Sequence, residues 1–174
     1  MIVKAISHRN SSLTAIQNLI EYVFTPNKLI DPQGKRERII LKRYIRGFDP
    51  EKWASQFKAN DERRSFNHAK RTVLRHEIIS FSNKDNQHLT PEILRAFGQF
   101  YLKHRSPSSM GICGVHYEQS IHLHFILSAV GVDTKSTRVS REDFKNFKIK
   151  LQEFQKEKYP LLEHSIVEHS KKKA

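Results

Sequence analysis

Gly111-Ile112-Cys113-Gly114-Val115-His116-Tyr117-Glu118-Gln119-Ser120-Ile121-His122-Leu123-His124-Phe125-Ile126-Leu127-Ser128 reads as two short strands joined by a turn. The second strand is an apolar run that carries His122 and His124 two residues apart. Side chains alternate between faces of a strand, so these two imidazoles project from the same side. His116 lies on the facing strand. With an odd turn such as Gln119 to Ile121, His116 stands opposite His124 and Glu118 opposite His122, and all four line one face. An even turn sends His116 to the other face. Three imidazoles on one face form a set of borderline-soft nitrogen ligands suited to Mn, Zn, Co or Ni, and three protein ligands leave positions open for catalysis. The chain holds ten histidines, so a single one carries little weight. A pair inside an apolar strand carries more, because a central sheet face has little reason to hold two polar rings.

Around this hairpin the chain has the bulk of one domain. At 174 residues, with 37% hydrophobic residues and eleven phenylalanines, it can bury a core. The expected domain spans residues 1–170, followed by a basic tail at 171–174 that contains Lys171, Lys172 and Lys173. No apolar run approaches the length of a bilayer span and no signal-peptide core opens the sequence, so no membrane partner is expected. The single cysteine, Cys113, excludes an intramolecular disulfide and fits a reducing cytoplasm, as a small buried strand residue. Thirty-one Lys and Arg against eighteen Asp and Glu give a net charge of +13. Such an excess points to a polyanion, most often nucleic acid.

Taken in order, Met1 to His8 reads as a strand. Ser11-Ser12 then caps a helix to about Phe24, with Leu13, Ile16, Leu19, Ile20 and Val23 at helical spacing and Pro26 beyond its end. Tyr22 lies about 100° around the helix from Val23, beside the apolar stripe, which leaves its hydroxyl free to face a groove. Thr25 to Gly34 is a loop. Lys35 to Gly47 reads as a basic strand in which Lys42, Arg43 and Arg46 flank Tyr44. Arg36, Arg38, Lys42, Arg43 and Arg46 are the expected phosphate contacts. Tyr44 is the rival nucleophile to Tyr22, although a tyrosine on a basic strand suits stacking on a base. Asp49-Pro50 begins a helix through Trp53 and Phe57, and Asn60 to Lys70 is weakly patterned. Arg71 to Ser82 is a strand rich in β-branched and aromatic residues. Thr90 caps a helix with Pro91 at its first position. Ser140 caps a long helix with Phe144, Phe147, Leu151 and Phe154 on one stripe, ended by Pro160. Ser165-Ile166-Val167 is read as an added edge strand. These elements predict an α+β fold: a mostly antiparallel five-stranded sheet with helices on one face.

A metal triad, a basic surface and a groove-facing tyrosine suit phosphodiester chemistry. A divalent ion can polarise a phosphate oxygen, and a tyrosine can form a phosphotyrosine ester. The run His116-Tyr117-Glu118 followed by His122-Leu123-His124-Phe125-Ile126 resembles the metal motif of the HUH endonucleases. More narrowly, the chain resembles the relaxase, or mobilisation nuclease, domains of plasmids and integrative elements. Leu19-Ile20-Glu21-Tyr22-Val23, Arg75-His76-Glu77-Ile78-Ile79-Ser80-Phe81-Ser82 with Leu89-Thr90-Pro91-Glu92, and the helix after Ser140-Arg141 agree in order and spacing. The resemblance implies a ferredoxin-like palm with His116, His122 and His124 as ligands. It makes Tyr22 the nucleophile that nicks single-stranded origin-of-transfer DNA and stays on the 5′ phosphate, with Glu118 the acid beside the metal. Mg or Mn are the ions it implies in function, with Zn, Co or Ni the other ions such ligands take. His76 is expected near the site as a hydrogen-bonded neighbour, and accessory mobilisation proteins are further partners. Two features depart from the family pattern: Glu118 stands where Asp is usual, and Ser120-Ile121 where more histidine is common. Relaxases often carry further domains, so a piece of a longer protein and a minimal enzyme are both expected forms. A replication initiator or transposase of the same superfamily, or a silent single-stranded DNA-binding module, are the alternative functions.

Overall fold

A computed structural model of the chain describes residues 1–65 and 67–167. Five strands form one antiparallel sheet: β1 (Ile2–His8), β2 (Ile40–Arg43), β3 (Leu74–Ser80), β4 (Ser109–Tyr117) and β5 (Ile121–Gly131). Their spatial order is β1-β3-β5-β4-β2, so the histidine-bearing hairpin β4–β5 sits near the centre. Among the described residues four α-helices, α1 (Leu13–Val23), α2 (Pro50–Glu62), α3 (Pro91–Arg105) and α4 (Arg141–Lys158), and two short 3-10 turns, Pro26–Leu29 and Asn83–His88, complete the fold. Each α-helix begins where a short polar side chain takes up a free backbone N–H. Ser12 accepts from Ala15, Asp49 from Glu51, Thr90 from Ile93 and Ser140 from Asp143. Losing such a cap typically costs about 1 kcal/mol.

The helices lie on both faces of the sheet, where the sequence reading put them on one. Ile16, Ile20 and Val23 of α1 with Trp53 and Phe57 of α2 pack against Leu74, Ile112 and Ile126. Phe97 and Tyr101 of α3 with Phe147 and Leu151 of α4 pack against Val115, Leu123, Phe125 and Leu127 on the other side. The inner strands are therefore apolar at consecutive positions, the pattern of a sheet covered twice.

Other boundaries differ for local reasons. The basic strand shrinks to Ile40–Arg43, because Tyr44 (φ 59°) and Gly47 (φ 78°) turn the backbone out of the ladder. Helix α2 continues through the weakly patterned residues to Glu62, held by tertiary bonds the pattern did not show. Asn60 Nδ2 donates to Ser128 Oγ at 3.1 Å and to the Val130 carbonyl at 3.0 Å. The segment Ser165-Ile166-Val167 forms no strand. It is tied instead by single bonds, the Met1 ammonium donating to the Ile166 carbonyl and Ser165 Oγ to Asp85 at 2.6 Å. The basic tail, Lys171 to Lys173, lies outside the described residues. Among the described residues no helix is long and apolar enough to cross a membrane.

Candidate active site

The β4–β5 turn has three residues, Glu118-Gln119-Ser120, because Tyr117 pairs with Ile121 and His116 with His122. The register is thus offset by two from the pairing expected with a Gln119–Ile121 turn. An offset of two keeps every side chain on its face. His116, His122 and His124 share one side of the sheet, while Glu118 leaves the ladder for the exposed turn. Its carboxylate still reaches back to 3.8 Å from His122 Nε2.

Gly114, not His116, stands opposite His124. A Cβ at Gly114 would lie 3.1 Å from Leu29 and 3.2 Å from Phe24. The missing side chain lets the end of α1 and the turn after it settle directly on the hairpin. That contact brings Tyr22, in the last turn of α1, over the histidines. Tyr22 is 54% exposed, and its ring meets that of His76 edge-on at 6.1 Å between centroids.

A cavity of about 190 Å³ collects these groups, with His116, His122, His124, Tyr22 and Glu118 in its wall beside Lys4, Ser80, Ile2 and Ile78. The His116 and His124 rings stack at 3.8 Å, and His122 lies 6.1 Å from His124. His124 Nδ1 is 2.9 Å from His76 Nε2. With the proton on His124 Nδ1, this bond fixes the ring and leaves its Nε2 lone pair free, the usual service of a neighbour to a ligating imidazole. His116 Nε2 donates to the Val23 carbonyl at 2.6 Å, so Nδ1 carries that ring's lone pair.

All four imidazoles are held neutral, chiefly by burial. His124 falls to about 2, with His116, His76 and His122 adding repulsion. His76 falls to about 4, with His8 and His116 contributing after burial. His116 and His122 are lowered as well, against the opposing pull of the Val23 bond and of Glu118 respectively. Metal binding requires unprotonated nitrogen, so these rings are ready at neutral pH without proton competition.

The donor set fits a divalent ion: three neutral imidazoles on one cavity wall and a carboxylate within reach. They are not locked as a closed cage. His116 is tied to Val23, and among the described residues no three His, Cys, Asp or Glu side chains already converge on one point. His122→Ala is expected to weaken Mn affinity beyond the roughly 10–100-fold that follows loss of an outer partner, by calorimetric titration. Unchanged affinity would remove the triad.

The basic segment is brought to this site only in part. Arg36 is half-buried and spent on its own chain: Nε donates to the Leu89 carbonyl at 2.6 Å, another nitrogen to the Asn86 carbonyl, and a third pairs with Asp31 at 3.3 Å. Arg38 and Arg46 are exposed. Lys42 donates to the Gly47 carbonyl at 2.7 Å and covers the Phe48 ring at 3.8 Å. Arg43 donates to the Pro107 carbonyl at 2.8 and 3.0 Å and lies over the Tyr44 ring. Arg43 pairs with Gly111, five positions before His116, so Tyr44 lies about 17 Å or more from the histidines along β4.

Lys4 in the cavity wall, and Lys28 and His8 beside the rings of Tyr22 and His76, escaped the sequence reading. Lys4 was legible through its period-two relation to Ile2 and Ile6. Lys28 was not, since only the turn after α1 folds its ammonium to 3.8 Å above the Tyr22 ring and onto the Tyr22 carbonyl. His8 extends the row of rings, 6.4 Å from His76.

Among solved structures, the chain is similar to the Mn-bound crystal structure at pH 6.8 of the MobM relaxase domain (MOBV; Mob_Pre) bound to plasmid pMV158 oriT DNA. That match has a TM-score of 0.63 and 17% identity over 99% of this chain and 90% of that one. The Mn-bound MobM complex at pH 5.5 gives 0.64 and 15%, covering 98% and 91%. The complex with 26 nucleotides gives 0.59 and 13%, covering 100% and 94%. At these identities the likeness establishes the fold. No curated protein matches by sequence. The family model for the MobA/VirD2-like relaxase nuclease domain matches residues 22–159, from Tyr22 to the end of α4, and the chain belongs to this family of DNA-nicking relaxases.

Proposed function

We propose that the domain nicks one strand of origin-of-transfer DNA by transesterification onto Tyr22. The observation that carries this reading is the shared cavity of Tyr22 and three neutral, one-faced histidines. The MobM domains it resembles hold Mn and oriT DNA, which supports the same substrate class here. His116, His122 and His124 would hold a divalent ion, with Mn or Mg as the working metal, and such an ion supplies Lewis acidity to a non-bridging phosphate oxygen.

The chain's own residues do the rest. Tyr22 Oη forms a bond to phosphorus as the bond to the 3′ oxygen breaks, leaving a 5′-phosphotyrosine ester and a free 3′ hydroxyl. The phenolic proton passes to a base at the cavity, a role that Glu118 in the same cavity wall would fill, and the leaving oxygen takes up a proton. His76 holds the His124 ring through its 2.9 Å bond. Lys28 and Lys4 put positive charge beside the entering phosphate. Reversal of the same transfer rejoins strands, so nicking and joining need one site.

Incubation with single-stranded oligonucleotides and Mn or Mg is expected to give a covalent adduct on a denaturing gel, abolished by EDTA. A domain that binds DNA without ever forming an adduct is a silent binding module. DNA affinity should fall with salt by roughly 0.7 log units per contacted phosphate per log unit of salt, measured by fluorescence anisotropy. A flat salt response would show that the +13 charge serves another purpose.

A further inference from the structure

A second concave site lies on the other face of the sheet, at the far end of the edge strand β1. It has a volume of about 570 Å³, against about 190 Å³ for the histidine cavity. Its walls carry Arg9, Arg64, Lys70, Arg71, Arg75 and Arg138, drawn from five separate stretches of chain. Ser7 pairs with Arg75 and Arg75 with Leu127, which fixes its floor on the face away from His76 and His124.

Two buried carboxylates offset part of this charge. Asp61 holds Arg64 at 2.7 Å and Arg71 at 3.1 Å. Glu77 lies 3.6 Å from Arg75 Nε but is already bonded to Arg105 at 2.7 Å. The surplus remains strongly cationic. Arg75 is only 8% exposed; its Nε faces Glu77, and another nitrogen donates to Thr137 Oγ1 at 2.6 Å. With six cations in its walls against two carboxylates, the cleft is a site for an anion, and phosphate matches guanidinium geometry best.

The two sites share β1. Lys4 lines the histidine cavity and Arg9 the cleft, five residues or roughly 17 Å apart along the strand. The sites lie on opposite faces, and β1, an edge strand with most of its residues exposed, is the edge a DNA segment would round to meet both.

We propose that the arginine cleft grips the sugar–phosphate backbone of the DNA that enters the Tyr22 cavity, on the strand segment beyond the scissile phosphate. The identity of that DNA rests on the nicking function proposed above. The cleft adds affinity and orientation, not chemistry.

The test compares anisotropy of labelled dT25 across a salt series for the full chain and two variants. Arg9→Gln/Arg138→Gln removes two exposed cations of the cleft. Lys145→Gln/Lys156→Gln removes two exposed cations of α4 and controls for net charge. The cleft pair is expected to lose about tenfold or more in affinity, with a salt slope lower by roughly 1.4, while the control stays within about twofold. At saturating protein the cleft pair should form as much Tyr22 adduct as wild type. Affinities of the two pairs that coincide overturn the proposal, as does an adduct that vanishes at saturation in the cleft pair. Wild-type protein that binds dT25 but never forms an adduct on origin DNA overturns the nicking function alone, and the comparison of the two pairs still decides the cleft.

Discussion

Tyr22→Phe is expected to keep its fold, its metal and its DNA, and to form no covalent adduct. The ring, its edge contact with His76 and the Lys28 ammonium above it all survive the change. Among the described residues the hydroxyl makes no hydrogen bond, so its loss leaves no buried partner stranded. What disappears is the oxygen that the proposed transesterification joins to phosphorus. Removal of a nucleophile costs on the order of 10⁶-fold where it has been measured in other enzymes, so the adduct should fall below detection. Tyr44→Phe should retain the adduct, because its ring stands over Arg43 at the far end of β4. The reverse outcome, with Tyr22→Phe active and Tyr44→Phe inactive, would transfer the role to Tyr44.

The second large effect concerns stability and lies on the face away from the cavity. Glu77 is fully buried in β3. It accepts from Arg105 at 3.0 and 2.7 Å and from the Tyr101 hydroxyl. Burial, reinforced by Glu77, raises the Tyr101 hydroxyl well above its ordinary value, so it stays a donor. Arg105 also lies 4.7 Å above the Phe144 ring, which ties α3 and α4 to this network. Glu77→Ala leaves a buried guanidinium without its counter-charge, which typically costs 3–5 kcal/mol. Against a total stability of roughly 5–15 kcal/mol this is a large fraction, and urea unfolding should show it as a lower midpoint. A loss under about 1 kcal/mol would mean that Arg105 reaches water in the variant.

The histidine face was legible because period two survives an error of register. The reading placed the turn one residue late, yet His116, His122 and His124 share a face either way. The turn itself was not legible, since Glu118 to Ile121 contains no glycine, proline or asparagine to fix its position. The placement of all helices on one face failed for a related reason. Leu123, Phe125, Ile126 and Leu127 are apolar without alternation, which is what burial on both faces produces.

Charge was legible in sum but not in position. The run Lys35 to Gly47 read as a phosphate-binding strand, yet Arg36 spends its guanidinium on two carbonyls and Asp31, and Lys42 and Arg43 each bond a carbonyl. Nothing in a basic run distinguishes a guanidinium that satisfies backbone oxygens from one that meets solvent. The arginine cleft was invisible for the opposite reason, since Arg9, Lys70 and Arg138 meet only when β1, β3 and the turn after β5 are assembled. Tyr22 was legible as a residue beside the apolar stripe. That its ring would share a cavity with three histidines depended on Gly114 and the close approach it allows.

The central claim is that Tyr22 attacks the phosphate beside the three histidines. It is tested most directly by isolating the adduct formed with Mn on single-stranded origin DNA, digesting the protein, and sequencing the nucleotide-bearing peptide by mass spectrometry. The predicted result is a single modified peptide with the phosphoester on Tyr22 and the 5′ end of the cleaved strand attached. A phosphoester on Tyr44, on Tyr117 or on a histidine of the cavity would contradict it.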